Sequence, residues 1–279
     1  ALMDYMENKG LKLVVQRGDR VFPKSEKSND VIKFFEKLII KKHIDLKLNE
    51  NVEKIKKNEK EKFIVKTNKD SYVFDKVVIA TGGLSYPLTG STGDGYKFAK
   101  LFGHKVTDLK PGLCGIVLNN IEESLTGLSL KNVKLIVKKN KKIMYEDIGE
   151  MMFSHYGITG PLVLSASCYI NNSDKIKMYI DFKPGLDEDK LDARILRDLE
   201  ENKNKLVVNS LNHLLPKALI PIIVNKSGNK DTIVNQMTKS KRQELIKIIK
   251  NYPLDFKSLM DISTGIITRG GINVREINE

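Results

Sequence analysis

The run Val77-Val78-Ile79-Ala80-Thr81-Gly82-Gly83 constrains the fold more than any other stretch of the chain. A continuous apolar run bounded by small residues predicts a strand buried on both faces, as parallel strands are. Its end in Thr81, Gly82 and Gly83 brings bare backbone to the carboxyl edge of a sheet, where open α/β folds bind ligands. Five of the 19 glycines follow between Gly82 and Gly95, so a flat ring or a phosphate can approach main-chain N–H groups closely. A plain strand-to-loop turn is the competing reading.

Two further segments carry possible chemistry. Ser85-Tyr86-Pro87-Leu88-Thr89-Gly90-Ser91-Thr92-Gly93-Asp94-Gly95-Tyr96 leads hydroxyls, glycines and a carboxylate into a helix start, which is a ready anion site. No Lys follows the glycines, so it is not a Walker loop. Asp94 also fits a simpler role as a first-turn residue favoured by the helix dipole. The third segment, residues 149–161, holds His155 among glycines and hydroxyls. His43, His104 and His213 show no metal-ligand spacing, and no metal site is expected.

Composition narrows the class. The chain has 279 residues, 41% of them hydrophobic and 30% charged, as in a soluble globular protein. Its longest apolar run, residues 218–224, contains a proline, whereas a bilayer span needs about twenty residues. Cys114 and Cys168 form no CxxC pair, which argues against a disulfide scaffold or zinc site and for a cytoplasmic location. The net charge of +13 comes from Lys and Arg scattered along the chain, without interleaved aromatics. It is read as a solvated surface, since single-strand binding needs stacking platforms beside the charges. Arg17-Gly18-Asp19 is read as a hairpin turn.

Periodicity predicts short strands at residues 11–16 and 20–22, then N-cap chemistry at Ser28-Asn29-Asp30 and an amphipathic helix over 31–39. Strands are expected at 43–48, 51–56, 63–67 and 71–74, and a helix at 96–102 ending on Gly103. Residues 106–181 read as β-rich, with a small-residue loop and a helix or turn over 149–167. From 187 to 251 the pattern is helical, and 272–279 alternate as a half-buried strand does. The first residue does not look like a translation start and the last strand stops without a tail, so a chain truncated at both ends is expected.

Taken together, Asp19-Arg20-Val21-Phe22-Pro23-Lys24-Ser25, Ala80-Thr81-Gly82-Gly83-Leu84-Ser85-Tyr86-Pro87, Thr89-Gly90-Ser91-Thr92-Gly93-Asp94-Gly95-Tyr96, Gly103-His104, the Ser154 to Pro161 segment, Gly270-Gly271-Ile272 and Glu276-Ile277-Asn278 resemble the HI0933-like bacterial flavoproteins. That family is described as NAD(P)/FAD-dependent oxidoreductases, some labelled aminoacetone oxidases. Ser154 and Thr159 replace the family's usual Thr and Ser, and each keeps a hydroxyl.

The resemblance implies an α/β plus β fold: an incomplete glutathione-reductase-type FAD domain (1–105) interrupted by a β-barrel-like insertion (106–186) and its helical part (187–262), with a return strand (263–279). It implies FAD as cofactor, NAD(P)H as electron donor, an unidentified small-molecule substrate and no membrane partner. Arg20, Phe22, Pro23, Val52, Ala80, Thr81, Gly82, Gly83, Gly270 and Gly271 are the implied cofactor contacts. Tyr86, Thr89, Ser91, Thr92, Asp94 and Thr159 are the implied substrate residues, and His155 a catalytic proton carrier. The family's GxGxxG loop is absent, so this chain is expected to hold no FAD and to purify colourless. The alternative is a basic RNA-binding or tRNA-associated module without redox activity.

Overall fold

A computed structural model describes residues 1–16, 19–171 and 175–278. Most of the expected Arg17-Gly18-Asp19 turn lies outside them. Two compact units divide the chain, Ala1–Val78 and Ile79–Glu279.

The first unit contains α1 (Leu2–Asn8), β1 (Leu13–Gln16), β2 (Arg20–Pro23), α2 (Ser28–Lys41), β3 (Val52–Lys57), β4 (Phe63–Thr67) and β5 (Ser71–Phe74). β1 and β2 form an antiparallel pair, and β3-β4-β5 an antiparallel meander. α2 starts one turn position earlier than its cap chemistry suggests: Lys27 is the N-cap, and Asp30 instead accepts from Ser25 Oγ at 2.6 Å. Among its apolar residues Phe34 alone is fully buried, while Ile32, Phe35 and Ile40 face solvent. Glu50 accepts from the hydroxyls of Thr67 (2.7 Å) and Tyr72 (2.8 Å), bonds that hold its carboxyl below the usual range. Residues 43–48, expected as a strand, form none, because no neighbouring strand pairs with them.

The second unit is built around one rolled antiparallel sheet. After α3 (Asp94–Leu101) and β6 (Lys110–Gly112) come β7 (Ile116–Leu118), β8 (Ser129–Lys139), β9 (Lys142–Ser154), β10 (Gly157–Thr159) and α4 (Pro161–Ser167). Then follow β11 (Ile176–Asp181), α5 (Glu188–Glu200), α6 (Ile220–Lys226), α7 (Lys239–Lys250), β12 (Tyr252–Leu254), β13 (Phe256–Leu259) and β14 (Ile267–Arg269). The order is β12-β11-β8-β9-β10-β7-β13, with β14 paired separately to β6. Its edge strands β12 and β13 follow one another through Asp255 alone, so the two ends of the sheet meet at a corner. No ladder joins them among the described residues.

Alternation sets the faces. Val133, Leu135 and Val137 of β8 and Met178 and Ile180 of β11 point into one continuous core with Leu191, Ile195, Leu245 and Ile249 of the helices. The helices leave and return at adjacent strands, β11 and β12, and Lys250 pins them back through Asp181 at 2.6 Å. Residues 149–154, expected as loop, are the end of β9; the long ladder on β8 overrides their small-residue composition. The chain end also differs from expectation: residues 274–276 make a 3₁₀ turn capped by Asn273, where a strand was expected.

Candidate functional site

Residues 77–80 do not form the expected buried strand. They join no ladder, and Val78 is 88% exposed, because no described strand lies beside them to pair with. The glycine-rich segment after them is nevertheless ordered, and it is ordered from far away in sequence. Thr268 Oγ1 accepts from Leu84 N–H (2.8 Å) and Ser85 N–H (3.2 Å) and lies 3.1 Å from Ser85 Oγ. A Cβ on Gly83 would stand 2.7 Å from Thr268 Cβ, so only glycine lets the two segments approach this closely. Gly82 has φ +71° and Ser91 Oγ 2.6 Å from where a Cβ would be. The paired glycines thus seat the chain's own hydroxyls.

The helix start is likewise internally satisfied. Thr81 Oγ1 accepts from Gly95 N–H at 3.1 Å, taking one of the donors that the first turn leaves free. Asp94 accepts from Lys97 Nζ and Thr92 Oγ1, each at 2.7 Å, and the Lys97 bond first, then that of Thr92, holds its carboxyl below the usual range. Asp94 therefore supplies the negative charge that the α3 dipole favours, the simpler of its two expected roles. Tyr86 sits in a left-handed conformation (φ +50°) and is 51% exposed. Its N–H donates to Ser263 O at 3.0 Å, and Thr89 Oγ1 donates to its carbonyl at 2.7 Å.

The return segment closes against the stretch after α3. Thr107 N–H donates to Gly271 O (2.8 Å) and Gly271 N–H to Thr107 Oγ1 (3.1 Å). Val106 bridges Ile272, and Lys105 N–H reaches Glu276 at 2.8 Å. Arg269, for which the sequence offers no signal beyond its place before two glycines, donates to the carbonyls of Pro111 (2.8 Å), Ile170 (2.6 Å) and Cys168. Two of those carbonyls follow the C-terminus of α4, where a cation is favoured. Thr268 and Thr107 were equally invisible in the sequence, since a lone threonine carries no pattern.

So Thr81, Thr92, Asp94 and Gly271 are each held by local hydrogen bonds, Gly82 lies against Ser91, and Gly83 and Gly271 both approach Tyr96. His155 does not join them. It caps the turn from β9 to β10, edge-on to Tyr156 and beside Asn119, Ile121, Glu123 and Thr126. That end of the sheet is tied by Leu118 N–H to Tyr156 O and Asn119 N–H to Asp255 O. The Gly-rich segment meets the sheet beyond the other end of β13, at Ser263. The strand between them spans about 13 Å at the usual rise. Thr159 lies at the opposite end of β10 from the His155 turn, half-buried and paired with Met152. Ser154, just before His155, is buried with no partner for its Oγ among the described residues. Arg20, Phe22 and Pro23 of β2 and Val52 of β3 lie in the first unit.

An FAD-type cofactor is tested against this arrangement by its open edges. Residues 80–82 are exposed and outside any ladder and Gly270 is exposed, whereas Gly271 is buried with its N–H and C=O both bonded to Thr107. The exposed edges fit the flat and polar rim of a dinucleotide. The pyrophosphate-holding GxGxxG is not in the sequence. Among the described residues no cluster of His, Cys, Asp or Glu fits a metal ion, and no helix is long and apolar enough to cross a membrane.

Comparison with known proteins agrees with this architecture. Residues 6–109 match the family described as pyridine nucleotide-disulphide oxidoreductase. A ribosomal RNA dihydrouridine synthase of Haemophilus influenzae is 26% identical over 227 residues, 81% of this chain and 55% of that protein. A 3-dehydro-bile acid delta(4,6)-reductase of Clostridium scindens is 22% identical over 266 residues, 94% of this chain and 65% of that protein. A second ribosomal RNA dihydrouridine synthase, from Escherichia coli, is 28% identical over 208 residues, 73% of this chain and 50% of that protein. The chain thus spans between half and two-thirds of the length of these relatives. Residues 110–267, the rolled sheet with its helices, match the HI0933-like protein barrel and H2TH domain, and the chain belongs to that flavoprotein oxidoreductase family.

Proposed function

We propose that this chain is part of a flavin-dependent reductase that adds two hydrogens across a conjugated ring double bond. The observation that carries the reading is the union in one chain of a pyridine nucleotide-disulphide oxidoreductase segment with the HI0933-like barrel. The relatives named for dihydrouridine and for a delta(4,6)-reductase support the direction of the chemistry. When bound, FAD supplies a carrier for one electron pair between a nicotinamide donor and the acceptor ring.

In this reading the exposed residues Ala80, Thr81 and Gly82 hold the cofactor's polar rim, with Gly270 and Gly271 assigned to the cofactor on the family resemblance. Gly83 acts one step back, keeping the Gly-rich segment against Thr268. Arg20, Phe22, Pro23 and Val52 are cofactor contacts on the family resemblance alone. Tyr86 offers an exposed aromatic face for the substrate ring, while Thr89, Ser91, Thr92 and Asp94 fix the loop that presents it. The position of His155 argues against the proton-carrying role expected for it, and a His155→Ala variant is expected to keep the wild-type rate. Thr159 stays a proposed substrate contact through its place before Gly160 and Pro161.

The test is an absorbance spectrum of the complete gene product. Anaerobic addition of NADH or NADPH is expected to bleach a flavin band, and an unsaturated acceptor to restore it. A complete protein that holds no flavin, or whose flavin neither nucleotide reduces, overturns the proposal. A second reading, an RNA-associated module, is favoured by the charge of +13 and by two relatives named for ribosomal RNA.

A further inference from the structure

The outer face of β8 and β11 carries an arrangement that folding alone does not favour. Lys177 stands directly opposite Lys138 across the antiparallel ladder, where like charges repel. One step along the same face, Tyr179 opposes Ile136 on one side and Pro253 on the other. Lys138 Nζ lies 5.6 Å from the centre of the Tyr179 ring. Lys141 and Lys142 at the hairpin tip and Lys175 before β11 extend the positive strip.

Among the described residues this strip has no paired counter-charge. Farther down β8, Lys134 has its partner, Glu146, at 2.8 Å. Among the described residues none of Lys138, Lys141, Lys142, Lys175 and Lys177 forms an ion pair. The carboxylate next in register to Lys177 is Asp255, and its two oxygens each accept from an amide, Asn119 and Asn120, at 2.9 Å. A half-buried tyrosine on the outer sheet face, flanked by lysines without ion-pair partners, combines the stacking platform and the charge track that single-stranded nucleic acid requires.

We infer that this face binds single-stranded RNA, with Lys138 and Lys177 on backbone phosphates and Tyr179 stacked on a base. The inference deepens the RNA reading of the charge and is independent of the redox reading, because it is tested by binding alone. The experiment is fluorescence anisotropy of the purified chain with a labelled uridine-rich single-stranded RNA over a range of salt. The Lys138→Gln/Lys177→Gln double variant is expected to lower the slope of log K against log salt by about 1.4, two contacts at roughly 0.7 each. Tyr179→Ala is expected to weaken binding roughly tenfold at every salt concentration, with Tyr179→Phe near wild type.

Removing the opposed lysines is also expected to leave the melting midpoint equal to or above that of the wild type, so weakened binding cannot be misfolding. No RNA binding at low salt overturns the inference, as do variants with the wild-type slope. Binding to phosphatidylglycerol vesicles in place of RNA also overturns it, assigning the strip to a membrane surface. Loss of RNA binding with intact flavin reduction in the complete protein separates this failure from that of the redox proposal.

Discussion

Thr268 concentrates three contacts on one hydroxyl, and a single methyl in its place should be felt. Thr268→Val leaves the N–H groups of Leu84 and Ser85 without their acceptor. The expected loss is about 1–3 kcal/mol in urea denaturation. Gly83→Ala presses on the same threonine and should destabilise comparably. The two cysteines differ in the same local terms. Burial pushes the Cys114 thiol up, while Cys168 is only half-buried. Alkylation at about pH 8 should label Cys168 first and reach Cys114 only on unfolding, a difference that mass spectrometry resolves. Burial, with the nearby Asp147 charge, pushes the Tyr145 hydroxyl up to about 12. Its proton is held more tightly in the folded state, so its contribution is intact below about pH 10 and is lost as pH rises from about 10 to 12. An alkaline denaturation series on Tyr145→Phe should lack that part of the decline.

At the level of elements, success in reading the sequence tracked whether a strand had its partner close by. β4 and β5 match the expected residues at both ends, since Asn68-Lys69-Asp70 turns one alternating run directly onto the other. Residues 43–48 and 77–80 have equally suggestive patterns and no neighbour, and a strand without a ladder leaves its polar backbone to water. Residues 149–154 erred the other way, because composition spoke for a loop and β8 for a strand. The helical segment shows a second non-local device. Lys250 Nζ reaches Asp181 (2.6 Å), Leu186 O (2.7 Å) and Lys183 O (3.1 Å) with both charged side chains largely buried. Lys250→Met strands the Asp181 carboxylate and should cost about 3–5 kcal/mol, whereas adding Asp181→Asn should recover much of it. A chemical-denaturation cycle on the three variants measures the difference.

For the whole molecule, the core is unevenly distributed. One continuous apolar cluster runs from Cys114 to Leu259, whereas among its described large apolar side chains the first unit buries only Leu11, Phe34, Ile55 and Val65. Limited proteolysis should therefore cut first within residues 1–78 and leave a fragment beginning near Ile79, identifiable by its mass. The candidate site was legible in the same uneven way. Its glycines and hydroxyls announce themselves locally, but what fixes them lies at the far end of the chain: Thr268 for the Gly82–Gly83 bend, Gly271 for Thr107, and Arg269 for the carbonyls beyond α4.

The bond from Leu84 to Thr268 spans 184 positions, which places a delay inside biosynthesis. At roughly 5–20 residues per second, the glycine-rich segment emerges from the ribosome about 10–40 seconds before its anchoring threonine has been translated. During that interval the N–H groups of Leu84 and Ser85 have only water in place of Thr268. A nascent chain stalled between Gly95 and Thr268 therefore carries the glycine-rich segment with its local bonds but without its distant anchor.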